Sequence, residues 1–142
     1  MLVRMRSEEA LERSGLRLTK QRQLVYDVLL EKKDHPTATE VFFRSKEAMP
    51  SISLATVYNC LVALTEYGLI RQVNFDRAPT RYCPTREEHG HFHCDICGRV
   101  FDVHLEDEGA LGRICNLPKN YFVTCREVTL RGQCPDCYQK KS

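Results

Sequence analysis

The 142-residue chain has no long hydrophobic run and little net charge. No stretch approaches the roughly 18 apolar residues that a membrane-spanning helix needs. The residues from Met1 to Glu9 contain no apolar signal core, so we expect a cytoplasmic protein without a membrane partner. The formal net charge is +2, with 13 basic and 10 acidic residues up to Pro84 and 8 basic and 9 acidic residues after it. This asymmetry permits nucleic-acid binding by the first part without establishing it.

Cysteine, in contrast, is abundant, with eight residues in the chain. Four of them form two CxxC pairs, Cys94 with Cys97 and Cys134 with Cys137, separated by 36 residues. Four thiolates can hold Zn²⁺ in a closed tetrahedral site, and the residues between each pair suit a tight turn. The sequence therefore predicts a structural zinc site that joins two distant segments. The alternative is a pair of disulfides, which an oxidising compartment would favour.

The first part of the chain predicts short helices followed by a hairpin. Apolar residues recur at helical spacing in four stretches, each of which starts at a serine or threonine suited to an N-cap. The expected helices run from Ser7 to Ser14, from Thr19 to about Lys32, from Thr37 or Thr39 to Met49, and from Ser53 to Gly68. Residues 69–75 and 80–83 read as two strands joined by a turn. We expect Leu54, Val57, Leu61 and Leu64 of the fourth helix to face the core.

This order of elements describes a winged helix-turn-helix, in which the helix from Ser53 lies in the DNA major groove. Tyr58 can contact a thymine methyl group, and Asn59 can pair with adenine or a phosphate. Basic side chains before the second helix can contact phosphates. The expected contacts with double-stranded DNA are Arg17, Lys20, Arg22, Ser53, Thr56, Tyr58 and Asn59. The alternative is an ordinary solvated helix face and a solvated linker.

The second part predicts a smaller α/β domain. Strands at 92–96 and 99–103 meet at the first CxxC, a helix follows at 105–115, and a strand at 121–130 leads to the second CxxC. We expect Cys115 and Cys125 to be buried thiols and Cys60 to lie in the first domain's core. The predicted boundaries are 1–84 for the DNA-binding domain, 85–90 for a hinge and 91–142 for the second domain. A domain this small is expected to need zinc and dimerisation for stability.

Taken together, these motifs resemble those of the ferric uptake regulator family of metal-responsive repressors. The resemblance extends from about Leu18 to Cys137 and is closest to peroxide-responsive or zinc-uptake members. The residues that carry it are Leu18 to Arg22, His35 to Thr37, Ser53 to Asn59, Arg81-Tyr82, the run from His89 to Gly98, Asp102, and Gly132 to Cys137. It implies an α+β fold, with an N-terminal winged helix and a C-terminal α/β dimerisation domain. It also implies a homodimer with structural zinc on the two CxxC pairs.

The resemblance also implies a regulatory metal site that draws ligands from both domains. Its expected ligands are His35, Cys83, His89, His91 and Asp102. Because His89 and His91 alternate on an extended segment, both imidazoles point to one side. The simpler alternatives are that His35 only starts a helix, that Asp102 caps one, and that Cys83 is a small buried hydrophobe.

The metal at this second site is left open among Zn²⁺, Mn²⁺ and Fe²⁺. Cys83 stands where iron- and peroxide-responsive members carry a carboxylate, which softens the site toward zinc. His35, Asn59 and Asp102 instead resemble the peroxide-responsive members. The expected function is a metal-dependent repressor, not an enzyme, that binds palindromic operators and also senses peroxide through oxidation at this site. The alternative is a zinc metalloenzyme or a thiol redox protein that uses the His/Cys cluster.

Overall fold

The computed structural model describes residues 2–85, 89–106, 115–123 and 126–139. The chain divides into two compact units, Met1–Arg86 and Glu87–Ser142, and each is described here by itself. None of the helices in the described ranges is long and apolar enough to cross a membrane.

The helices of the first unit begin where the sequence supplies a capping side chain. Its described elements are α1 (Leu2–Ser14), α2 (Lys20–Glu31), α3 (Ala38–Ala48), α4 (Leu54–Glu66), β1 (Arg71–Val73) and β2 (Arg81–Cys83). Thr19, Thr37 and Ser53 each accept a backbone N–H of the first turn that would otherwise lack a partner. Thr37 also forms a reciprocal capping box with Glu40. The predicted starts of α2, α3 and α4 are therefore confirmed. Helix α1 begins before Ser7, which is a buried residue inside the helix and not its N-cap.

The core of the first unit lies between α2, α3 and α4, with Leu11 of α1 packed against them. Val57, Leu61 and Leu64 are fully buried along one face of α4, and Cys60 lies with them in the core as predicted. The prediction for Leu54 is wrong, because this side chain is 38% exposed. It lies in the first turn of α4, on the same side as Tyr58.

A hairpin follows the helices and completes the winged-helix order. Strands β1 and β2 pair antiparallel, with Gln72 opposite Tyr82. They are shorter than the predicted strands. The N–H of Tyr82 donates to the carbonyl of Pro36 at 3.0 Å, which fastens β2 to the segment before α3.

The second unit is built on a mixed sheet of β3 (Gly90–Cys94), β4 (Val100–Val103) and β5 (Thr129–Gly132), followed by α5 (Pro135–Gln139). The strand order is β4-β3-β5, with β4 antiparallel and β5 parallel to β3. A Cβ at Gly90 would lie 3.2 Å from the Val128 carbonyl oxygen, so the chains approach closely where β3 begins. The prediction of one strand over 121–130 is wrong, since 121–123 are not in a strand and β5 begins at Thr129. Most of the helix predicted at 105–115 lies outside the described residues.

Candidate metal centres and DNA-binding surface

The parallel pairing of β5 with β3 brings the two CxxC pairs together. Cys94 ends β3 and pairs with Gly132, so the chain returns beside it just before Cys134. The four sulfurs of Cys94, Cys97, Cys134 and Cys137 all lie within 4.8 Å of one another. The Sγ atoms of Cys97 and Cys134 are 3.8 Å apart. Four zinc–sulfur bonds of about 2.3 Å in a tetrahedron place the sulfurs ~3.8 Å apart, so this donor set fits a zinc ion.

Hydrogen bonds make two of these thiols more acidic than an ordinary cysteine. The backbone N–H groups of Cys97 and Cys134 lower the pKa of the Cys94 thiol to about 6. The side chain of Arg99 lowers the pKa of Cys97. Burial instead raises the pKa of Cys137 to about 12. Since metal ligation requires thiolates, the N–H donors stabilise the form that binds an ion.

Three other candidate ligands converge within the second unit. The Nε2 atoms of His89 and His91 are 3.0 Å apart. Oδ1 of Asp102 lies 3.1 Å from the first nitrogen and 3.4 Å from the second. Strand pairing causes this arrangement, because His91 stands directly opposite Asp102 in the β3–β4 register. Three donors on one ion at about 2.0–2.2 Å are separated by ~3.0–3.6 Å, so this triangle has the size of a three-ligand face.

The first unit brings together the remaining two candidate ligands. A ring nitrogen of His35 and the Sγ atom of Cys83 lie within 4.8 Å of each other, and both residues are buried. His35 has a left-handed backbone conformation with a φ of 54°, which is uncommon for a residue other than glycine. Its carbonyl accepts a hydrogen bond of 2.9 Å from Nη1 of Arg81 on β2. Arg81 thereby holds the turn that places His35 beside the strand that ends at Cys83.

The candidate DNA-binding helix presents one exposed face near its N-terminus. Tyr58 is 46% exposed, and Ala55 and Asn59 are exposed beside it. Ser53 is also exposed, but its Oγ is the N-cap and accepts the N–H of Thr56 at 3.1 Å. A groove of about 390 Å³ lies beside Tyr58. Its other lining residues are Thr37, Ala38, Thr39, Pro79, Thr80 and Tyr82.

The three predicted basic contacts differ in how free their side chains are. Arg17 and Lys20 are exposed. Arg22 is half-buried, and its Nη1 donates to the Arg17 carbonyl at 2.8 Å. Arg22 is therefore already oriented along the linker before α2, whereas Lys20 is a solvent-exposed charge at the start of that helix.

Other histidines and cysteines of the described ranges have different surroundings. His93 lies on the same face of β3 as His91, and its Nδ1 is 3.5 Å from Oδ1 of Asp95. Cys115 is exposed, so its predicted burial is wrong, and Cys125 lies outside the described residues.

Arg99 is not among the site residues predicted from the sequence, yet its guanidinium contacts two of the clustered sulfurs. Its position directly after the first Cys-x-x-Cys-Gly run was the only available indication.

Comparison with known proteins decides the family. The family model described as the ferric uptake regulator family matches residues 13–124. The chain belongs to the ferric uptake regulator family. Its members are metal-responsive transcriptional regulators, so the α+β fold class and the prediction of a regulator, not an enzyme, are confirmed.

Several relatives within the ferric uptake regulator family match over most of their length. The peroxide-responsive repressor PerR of Staphylococcus saprophyticus is 28% identical over 92% of this chain and 88% of its own. The peroxide stress regulator of Campylobacter jejuni is 30% identical, with a TM-score of 0.68 over 92% of this chain and 95% of its own. A zinc uptake regulator, solved in complex with zinc and DNA, shares the fold with a TM-score of 0.72 at 23% identity, over 97% and 94% of the two chains.

Proposed function

We propose that this chain is a metal-dependent repressor that binds palindromic DNA operators as a homodimer in the cytoplasm. The observation that carries the proposal is the presence of two separate ligand clusters in a chain whose first unit is a winged helix. The second unit holds a four-sulfur cluster and, apart from it, a triangle of two imidazoles and a carboxylate. The first unit presents an exposed α4 face of the kind that enters a major groove.

The four-sulfur cluster is proposed to hold a structural zinc ion. Cys94, Cys97, Cys134 and Cys137 bring four sulfurs within 4.8 Å of one another, and a zinc ion bound by all four would have no position left for a substrate or a water molecule. In this role the ion fastens the end of β3 to the segment between β5 and α5, which adds stability to a unit with a small core.

The second site is proposed to hold the regulatory metal on His35, Cys83, His89, His91 and Asp102. Support comes from each unit separately, because His35 and Cys83 approach each other in one unit and the remaining three ligands in the other. A divalent ion bound by all five residues would fasten the two units in one relative pose. The two winged helices of a dimer would then be spaced to match two operator half-sites.

The operator contacts are proposed to come from α4 and the linker before α2. Tyr58 and Asn59 are exposed where they can reach base edges, and Arg17, Lys20 and Arg22 are placed for phosphates. Ser53 and Thr56 lie at the N-terminus of α4, where a helix favours phosphate, so they are proposed to contact the DNA backbone there. The relative complexed with zinc and DNA supports DNA as the partner.

We propose that the regulatory site senses Zn²⁺, Mn²⁺ or Fe²⁺ and that peroxide is a second signal. A thiolate at Cys83 favours zinc, whereas imidazole and carboxylate ligands also suit iron and manganese. The names of the relatives in Staphylococcus saprophyticus and Campylobacter jejuni support the peroxide proposal.

The test is DNA binding titrated with each metal on protein that retains its structural zinc. Fluorescence anisotropy of a labelled operator, selected from random duplexes, reports affinity, and metal analysis of the same samples reports stoichiometry. The proposal expects one additional ion per subunit, together with a gain in operator affinity of about 5–150-fold. Operator affinity that is unchanged by all three metals would overturn it.

A further inference from the structure

Arg99 contacts the four-sulfur cluster from outside the ligand set. Its Nε donates to Sγ of Cys97 at 3.3 Å, and its Nη2 donates to Sγ of Cys134 at 3.4 Å. The same Nη2 donates to Oδ2 of Asp136 at 2.8 Å. One guanidinium therefore connects a sulfur of the first CxxC pair with a sulfur of the second, and with Asp136 of α5.

The charge of the site explains why such a contact matters. Four thiolates around one Zn²⁺ carry a net charge of −2, and the fork of a guanidinium can donate to two acceptors at once. Arg99 is the residue before β4, directly after the turn that holds Cys97, and it lies 5.4 Å from the centre of the Phe101 ring. Of the four cysteines, Cys97 is exposed and the other three are buried, so Arg99 contacts the ligand that the fold shields least from solvent.

A second arginine, which pairs with a carboxylate in the other CxxC pair, provides a matched comparison. Arg131 of β5 donates to Oδ1 of Asp95 at 2.8 and 3.1 Å, and Asp95 lies between Cys94 and Cys97. Both arginines thus form an exposed ion pair with a carboxylate that lies between the two cysteines of a CxxC pair, and such pairs add little to folding stability. The difference is that Arg99 also donates to two sulfurs, whereas Arg131 donates to the Asp95 carboxylate.

We propose that Arg99 is a positioning residue that clamps Cys97 and Cys134 and so slows the loss of zinc from the four-cysteine site. The proposal rests on the structural zinc proposed above. Partners that hydrogen-bond to metal ligands typically change metal affinity about 10–100-fold when they are removed. Loss of the clamp leaves all four ligands in place but allows one cysteine pair to separate from the other more readily.

The experiment compares zinc-loaded wild-type protein with Arg99→Ala, Arg99→Lys and Arg131→Ala. Transfer of zinc to a chromogenic chelator is followed over time at fixed protein concentration. We expect Arg99→Ala to transfer zinc about 10–100-fold faster than wild type, and Arg131→Ala to behave like wild type. Arg99→Lys should be intermediate, because an ammonium group keeps the charge but does not span two sulfurs.

A spectroscopic readout separates this role from a general loss of stability. With Co²⁺ in the four-cysteine site, removal of N–H donors from two sulfurs should shift the thiolate-to-cobalt charge-transfer band to lower energy in Arg99→Ala. Arg131→Ala should leave the band unchanged. Equal transfer rates and equal spectra for these two variants would overturn the clamp while leaving the zinc site in place. Wild-type protein that retains no zinc would overturn both the clamp and the proposed structural site, and if Arg99→Ala does not fold, the lysine variant decides.

Discussion

Replacement of His91 by alanine removes one corner of the triangle formed with His89 and Asp102. The side chain is buried on β3, while its backbone N–H donates to the Val128 carbonyl at 2.9 Å and is retained in the variant. The change therefore removes a nitrogen that lies 3.0 and 3.4 Å from the other two donors and leaves the strand pairing intact. Loss of a direct ligand should weaken the second metal at least as much as loss of an outer contact, by about 100-fold.

This loss of affinity predicts a measurable loss of stability. A metal at 100 times its Kd stabilises the folded protein by about 2.7 kcal/mol, and at one times its Kd by only about 0.4 kcal/mol. At the same metal concentration, the variant should therefore gain about 2.3 kcal/mol less from the metal than wild type does. With a urea m-value of about 2 kcal/mol/M, this difference lowers the metal-induced shift of the midpoint by about 1 M.

The assay is urea unfolding with and without the added metal, on protein that retains its structural zinc and at one protein concentration. His104→Ala is the matched control, since this histidine is exposed and follows β4 two residues after Asp102. The control should keep the full metal-induced shift of the urea midpoint. Metal analysis should find one zinc ion per subunit in both variants before the second metal is added. A metal-induced shift of wild-type size in His91→Ala would refute the assignment of this histidine as a ligand.

Three further predictions address the core, the DNA-binding face and the thiols. Leu61→Ala should lower the free energy of unfolding of the first unit by about 2–5 kcal/mol, because the side chain is fully buried. Val62→Ala, at an exposed position of the same helix, should change that free energy by less than about 0.5 kcal/mol in the same denaturant experiment. Asn59→Ala should cost about 1–3 kcal/mol of operator affinity and relax specificity at one base position. Arg22→Ala should instead weaken binding to all DNA sequences equally and reduce the slope of log affinity against log salt concentration by about 1. The reverse pattern would contradict these roles. In zinc-free protein the Cys94 thiol should ionise with a pKa of about 6, because backbone N–H groups stabilise its thiolate. Thiolate absorbance should show this ionisation and Cys94→Ser should abolish it, whereas no ionisation in that range would contradict the role of these N–H groups.

Local sequence patterns were sufficient to predict how the helices start. Thr19, Thr37 and Ser53 could be recognised because a capping hydroxyl acts on backbone groups only two or three residues away. The error at Leu54 has a local cause as well. Periodicity places this residue on the buried stripe, but a residue in the first turn of a helix has no preceding turn beside it, and Leu54 is exposed whereas Val57 and Leu61 are fully buried.

The second unit was less predictable because its sheet depends on distant pairing. Alternation over 121–130 resembles a strand, yet 121–123 are exposed and not in a strand, and the parallel partner of β3 begins only at Thr129. Nothing local distinguishes these two segments, since a parallel pair is joined by a long connection. The two CxxC pairs were predictable as a cluster because their chemistry requires a common ion.

The distances within the candidate sites could not be predicted from the sequence. The alternation of His89 and His91 predicts imidazoles on one side, but their distances to Asp102 follow from the register of β3 and β4. The contact of Arg99 with Cys134 spans 35 residues, so no spacing rule predicts it.

The most direct test of a shared ion uses the proton spectrum of protein that contains Co²⁺ in its second site and Zn²⁺ in its first. Exchangeable imidazole protons of cobalt-bound histidines are shifted far outside the normal range by the unpaired electrons. If one cobalt ion is bound by ligands from both units, three such resonances are expected. One of them should be lost in His35→Ala, and the other two should belong to His89 and His91. If only two resonances appear and His35→Ala leaves both unchanged, the ion is bound by the second unit alone and does not fasten the two units together.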